Sequence, residues 1–338
     1  MQIFRATGTA LSVAAALLLA VGPVTPGVAQ DLKVYRGTQV PPEVERIYTK
    51  GLRFLVQNQN EDGSFPGNYG NEPAIVALGM MAMLAHGEDP NFGPYAKPIK
   101  RCLEKIFNSI AKDNGYIGTS MYNHGFGTLA LAEAYGQVND DRIAPALQKA
   151  VELILTSQSK NPFKAWRYSP ESQDADSTVS GACFVALVAA RNAGLKVPDK
   201  TIDDSLKFYS DCQTPSGDIG YVPRSGSHGG STTAIGTAVY AYARKKDLPT
   251  FQKAFKAMKA AGDEGSSYPY YFEYYAAQAY FQSDVKEWSV WNDKLVKRFA
   301  EVQSDDGSFE GGMGPAMSTV MGLLALALNY RYLPIYER

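Results

Sequence analysis

The segment Lys50-Gly51-Leu52-Arg53-Phe54-Leu55-Val56-Gln57-Asn58-Gln59-Asn60-Glu61-Asp62-Gly63-Ser64-Phe65 returns along the chain in weaker copies. Gln213-Thr-Pro-Ser-Gly217 and Gln303-Ser-Asp-Asp-Gly307-Ser-Phe309 keep a glutamine, three residues and a glycine, with Phe208-Tyr209 and Phe299 upstream. Asp113-Asn-Gly115-Tyr-Ile-Gly118 keeps the turn without the glutamine, and Gln158 followed by Trp166 keeps the ends around a longer loop. A unit that recurs about every fifty residues cannot bury its apolar face alone, so it stacks into a toroid or solenoid.

Between these turns lie apolar runs of helical period. The odd-numbered runs, 43–59, 95–111, 142–158, 199–212, 248–261 and 285–303, mix charge with apolar residues and predict outer helices with one wet face. The even-numbered runs, 71–86, 121–137, 177–194, 231–246, 269–283 and 314–331, are rich in Ala, Gly and aromatics and poor in charge. A helix apolar nearly all round is a buried one, so these predict an inner ring. The fold class is therefore all-α: an (α/α)6 toroid of twelve helices, six outer and six inner. Gly63 and Gly307 would turn the chain between layers with positive φ. The glutamine would hydrogen-bond backbone groups at the helix end, and the aromatic would pack between repeats. The fifth pair departs from the pattern, with Gly262-Asp-Glu-Gly265 and a Tyr-rich start.

Residues 1–29 are read as a signal peptide: Arg5, an apolar run from Ala10 to Val21, and Gly27-Val28-Ala29 before the cut. An N-terminal extension, 30–42, and a single toroid domain, 43–338, follow. The expected location is periplasmic or extracellular, with no membrane span after cleavage. The formal net charge of −1 shows no basic excess, so neither nucleic acid nor anionic lipid is an expected partner. A protein partner is not specified. Three cysteines, Cys102, Cys183 and Cys212, form no disulfide framework and fit no zinc spacing. One bridge between two of them stays open at this stage.

The glutamine–glycine–aromatic unit resembles the QW repeat of squalene-hopene and oxidosqualene cyclases, with Phe65 where those enzymes usually carry Trp. Met121-Tyr-Asn-His124-Gly-Phe-Gly-Thr and the tail Tyr332-Leu-Pro-Ile-Tyr336 also resemble the wider prenyltransferase and squalene-oxidase repeat group. The resemblance covers residues 43–334. It implies a secreted bacterial member of that group. The function it implies is binding or transformation of an apolar, isoprenoid-like ligand in a central cavity.

Loops leading into inner helices put six helix N-termini at one mouth, where partial positive charge gathers. His124 and His228 lie near two of these starts. Ser227-His228-Gly-Gly-Ser-Thr232 resembles a diphosphate-holding segment of protein prenyltransferases. The zinc set of those enzymes, an Asp, a Cys and a His from separate segments, has no counterpart here. Protein prenylation is therefore rejected, and no metal or other cofactor is expected. Asp174-Ala-Asp176-Ser-Thr178 resembles the DxDD-Thr motif of class II terpenoid cyclases, whose middle acid protonates an alkene or epoxide. Ser177 replaces the last acid. Asp176 is equally a favoured helix N-cap. Asp176 and His228 are the candidate catalytic pair. His124, Asp174, Tyr270, Tyr271, Glu273 and Tyr274 are the candidate ligand-binding residues, the tyrosines through their π faces. Plain packing of these aromatics is the competing reading. Glu273 stands out as an acid in an apolar run and needs a partner or a raised pKa. Arg167 and Arg224 fall in loops at the same mouth.

Two other classes stay open. Glycosidases and lyases also use (α/α)6 toroids, and Asp176 with Glu273 would serve as acid and base at a suitable separation. A non-catalytic binding scaffold is the third reading, although the Gly-Cys-Gly-Glu-Gln setting of thioester proteins is missing.

Overall fold

The computed structural model describes residues 40–262 and 268–336. The expected signal peptide and nearly all of the N-terminal extension lie outside the described residues. Among the described residues there are twelve α-helices, no strand and two isolated bridges, Ile110 with Ile117 and Gln213 with Ile219. The outer helices are α1 (Pro42–Asn58), α3 (Ala96–Asn108), α5 (Ile143–Lys160), α7 (Asp199–Cys212), α9 (Pro249–Ala261) and α11 (Val285–Val302). The inner helices are α2 (Pro73–Ala85), α4 (Met121–Ala134), α6 (Ser177–Asn192), α8 (Gly230–Tyr242), α10 (Pro269–Ser283) and α12 (Pro315–Leu326). Inner helices touch in the order α2, α4, α6, α8, α10, α12, and α12 packs back on α2, so the ring is closed. No helix among the described residues is long and apolar enough to cross a membrane.

Local chemistry sets the starts. Proline opens α1, α2, α9, α10 and α12, where its missing N–H costs no helical bond. Ser120, Asp176 and Asp284 cap α4, α6 and α11 with side-chain oxygens. Every residue of α2 is buried, whereas α1 buries one stripe, as the layer assignment requires.

The repeated glutamine is a seam between neighbouring repeats. Gln59 Nε2 donates to Gly63 O at 3.3 Å and also to Pro98 O of the next outer helix at 3.1 Å. Gln213 does the same with Gly217 O and Thr250 O, and Gln158 reaches Thr201 O. Gln303 donates to Gly307 O and to Ile47 O of α1 at 2.9 Å, stitching the last repeat to the first. Gly63, Gly217 and Gly307 all have positive φ, as expected of the turn.

The axis of the ring is filled. Helices α4 and α10 face each other across it, yet Phe126 and Tyr274 approach to 6.4 Å between ring centroids. From the end where the inner helices finish, the C-terminal segment Leu333–Tyr336 enters and packs on α6. Ile335 N–H donates to Glu133 Oε2 at 3.3 Å, and Leu333, Ile335 and Tyr336 are buried. The expected open central cavity is therefore occupied by the chain's own aromatics and tail. The three cysteines are free and buried, and burial pushes the Cys102 thiol up to about 12 despite the Gln59 side chain.

Candidate functional site

Position at an inner-helix start does not by itself bring a side chain to the mouth. His124 sits in the first turn of α4 and is fully buried in the wall toward α5. Its Nδ1 accepts from Ile117 N–H at 3.1 Å and its Nε2 lies 3.0 Å from Ala150 O, which assigns the proton to Nε2. Burial drives its pKa down to about 4 against the Ala150 hydrogen bond, so the ring is neutral. Glu273 likewise turns outward and pairs with Arg298 of α11. Tyr270 packs on Phe299 and Phe309, again toward the outer layer. Tyr274 lies deep, against Phe126 and Tyr275. The expected convergence of His124, Asp176, His228 and Glu273 therefore does not occur. His86, just past the end of α2, is mostly buried among Tyr48, Tyr95 and Tyr330, and its Nε2 lies 3.2 Å from Glu45 Oε1.

What does converge is a cluster around Arg167. This guanidinium sits 5.4 Å from the ring centroids of both Tyr168 and Tyr221. Its Nη1 is 3.4 Å from Asp174 Oδ2 and its Nε is 3.9 Å from Asp176 Oδ2. The Tyr168 and Tyr221 hydroxyls are 2.6 Å apart, and the Tyr221 ring packs against His228 at 4.9 Å between centroids, tilted by 33°. Tyr122, in the first turn of α4, lies 6.1 Å from Tyr168, and the Tyr116 hydroxyl donates to Tyr168 O. Tyr116, Tyr122, Tyr168, Tyr221 and His228 thus form one aromatic belt over the loops before α4, α6 and α8. Tyr168 and His228 are exposed, while Asp176 has no exposed surface.

Asp176 is an N-cap with an unusual second oxygen. Its Oδ1 accepts from Thr178 N–H at 2.8 Å, Val179 N–H at 2.9 Å and Thr178 Oγ1 at 2.7 Å. The Tyr122 hydroxyl donates to the same Thr178 Oγ1. Oδ2 has no hydrogen-bond partner among the described residues. Burial raises the Asp176 pKa, and the hydrogen bonds from Thr178 and Val179 and the Arg167 charge only partly oppose this. The folded chain then holds a proton that the unfolded chain has released, so stability falls as pH rises from about 3.8 through the raised folded value. Asp176→Asn should keep the cap, be neutral or stabilising at neutral pH, and remove this part of the slope. Asp176→Ala should cost about 0.5–2 kcal/mol. Urea unfolding of the three proteins across pH checks both statements; a large loss in the Asn variant would show that the charged form is needed for folding.

Residues 44–282 match the family described as Domain of unknown function (DUF6288). The chain belongs to this family. No match was found among curated protein sequences. Solved structures extend the fold comparison. An α-1,6-mannanase of Salegentibacter sp. HEL1_6, a glycoside hydrolase of family 76, was captured with α-1,6-mannotetrose as an inactive variant lacking two adjacent aspartates. It superposes with a TM-score of 0.63 at 12% identity, over 85% of this chain and 99% of that one. A family 76 glycoside hydrolase from a bovine Bacteroides thetaiotaomicron strain gives 0.63 at 10% identity, over 85% and 77%. A type II terpene cyclase from Scytonema, bound to its product merosterolic acid A, gives 0.59 at 14% identity, over 86% and 98%. At these identities the likeness shows the fold: this chain shares the toroid with both enzyme types.

Sequence reasoning placed Asp174, Asp176, Arg167 and His228 at the mouth but missed the belt that links them. The signal was present as Tyr116, Tyr168 and Tyr221, one tyrosine in each of three consecutive loops that lead into inner helices.

Proposed function

We propose that this protein binds a hydroxyl-rich, saccharide-like ligand at the mouth of the toroid, on the belt formed by Tyr116, Tyr122, Tyr168, Tyr221 and His228. The observation that carries the reading is Arg167, set between two tyrosine rings and against two aspartates. Flat aromatic faces suit the C–H faces of sugar rings, and the guanidinium and the Asp174 carboxylate supply directional hydrogen bonds to hydroxyls. The filled axis supports a ligand held at the mouth over one drawn deep into the ring. The mannanase with bound mannotetrose adds weight, since that toroid handles an oligosaccharide. Asp176 is the acid at this site: buried, raised in pKa by that burial, and beside Arg167.

The test is titration of the purified protein with α-1,6-mannotetrose and a panel of other neutral oligosaccharides, read by calorimetry. At least one should bind. Arg167→Ala should weaken it about 10- to 150-fold, corresponding to loss of charge-assisted bonds of about 1.5–3 kcal/mol. Tyr221→Phe, which keeps the ring and removes the hydroxyl, should have a smaller effect. Binding of none of these glycans, or equal binding by Arg167→Ala, would overturn the reading.

A further inference from the structure

Arg167 has more donor capacity than its neighbours use. A guanidinium carries five N–H donors in a planar fork. Those of Arg167 make no hydrogen bond among the described residues. The contacts to Asp174 Oδ2 and Asp176 Oδ2 are 3.4 Å and 3.9 Å, longer than the roughly 2.7–2.9 Å of a charge-assisted bond. Yet the Arg167 side chain is only 24% exposed, so its charge is largely withdrawn from water without a protein acceptor to complete it. A partly desolvated charge attracts a counter-charge more strongly than a fully solvated surface arginine does.

Neither aspartate takes the fork up. Asp176 Oδ1 is committed to the Thr178 and Val179 donors, and desolvation holds the carboxyl toward its neutral form. The Asp174 side chain is 64% exposed, and its carboxylate makes no hydrogen bond among the described residues. Only the Arg167 charge holds it in place, so a better-fitting carboxylate can displace it into solvent. The Tyr168 and Tyr221 rings lie 5.4 Å from the guanidinium carbon on either side. A sugar packed on either ring carries its exocyclic carbon at the rim, within reach of the fork. A hydroxyl there would fill one N–H position. A carboxylate would fill two at once and balance the charge.

We propose that the saccharide taken at this mouth is an acidic one, a uronic-acid unit whose carboxylate pairs with the Arg167 guanidinium in place of the Asp174 side chain. The inference rests on the saccharide reading above and narrows the ligand from hydroxyl-rich sugars in general to carboxylate-bearing ones.

The experiment titrates the protein with trigalacturonate and trimannuronate, with the fully methyl-esterified form of each, and with succinate as a carboxylate that carries no sugar. At least one acid should bind about 10-fold or more tighter than its own ester, as a charge-assisted pair requires. The ratio should narrow as salt is raised. Arg167→Ala should bring acid and ester to equal affinity. Asp174→Asn, which removes the competing charge and leaves Arg167 untouched, should widen the ratio. Esters binding as tightly as acids would overturn the acidic-sugar inference and leave the saccharide reading standing. Failure of every acid and every ester to bind would overturn the saccharide reading, and this inference with it. Succinate binding as tightly as the acids would show a plain anion site and overturn both. An acid-to-ester ratio that survives in Arg167→Ala would place the carboxylate elsewhere and overturn the assignment to Arg167. A ratio narrowed in Asp174→Asn would overturn the exchange of one carboxylate for the other.

Discussion

Gly307→Ala should destabilise the folded ring by about 2–5 kcal/mol, the sum of positive-φ strain and forced displacement of packed backbone. Gly307 has φ of 97°, and a Cβ built there would lie 2.2 Å from Lys50 O of α1. That neighbour is backbone in the first outer helix, so it cannot swing aside like a side chain. The same contact borders the Gln303 seam to Ile47, which closes the last repeat on the first. Gly63 makes the equivalent approach to Arg101 O, also at 2.2 Å, with φ of 88°. Gly67 is the control: φ is 106°, but nothing lies within 4 Å of its Cβ position. Gly67→Ala should therefore cost only the conformational part, about 1–2 kcal/mol. Urea midpoints of the three alanine variants separate the two terms. Equal losses at Gly67 and Gly307 would mean that strain alone acts and that the close approach to α1 is unimportant.

The layer order was legible because inner and outer helices differ in composition, as the all-buried α2 and the striped α1 show. The glutamine's role was half legible. Its own turn was local, but its second partner is a carbonyl on the next outer helix, 39 residues away for Gln59. The site was legible to the depth of the mouth and no further. A helix advances about 100° per residue, so two residues reverse the direction of a side chain. Tyr122 faces the axis, and His124, two residues on, faces α5. Tyr271 faces the axis, as do Tyr274 and Tyr275 one turn on, while Glu273 faces Arg298. In an inner helix that is apolar on every side, no hydrophobic period marks which face is the axis. That missing mark is why His124 and Glu273 resembled site residues in the sequence.

The C-terminal segment gives the other large expected effect, through two substitutions at one position. Tyr336 is almost wholly buried at the end of the ring, beside Tyr274, Tyr242 and Tyr48, and desolvation pushes its pKa well up. Tyr336→Ala removes a full aromatic ring from a closed space whose walls are helices tied into a ring. The walls can collapse little, so the cost should reach about 3–5 kcal/mol, the range for buried aromatic-to-alanine changes. Against a total stability of about 5–15 kcal/mol, that is a large fraction. The hydroxyl has no hydrogen-bond partner among the described residues. Tyr336→Phe should therefore be neutral or slightly stabilising, because it deletes a desolvated polar atom and keeps the ring. Thermal unfolding of both variants decides the matter. If Tyr336→Ala kept the wild-type midpoint, the tail would not be part of the core, and the axis of the toroid would be open to a ligand from that end. If Tyr336→Phe lost stability comparable to the alanine variant, the hydroxyl would have a partner and the tail would be held by polar contacts rather than by packing.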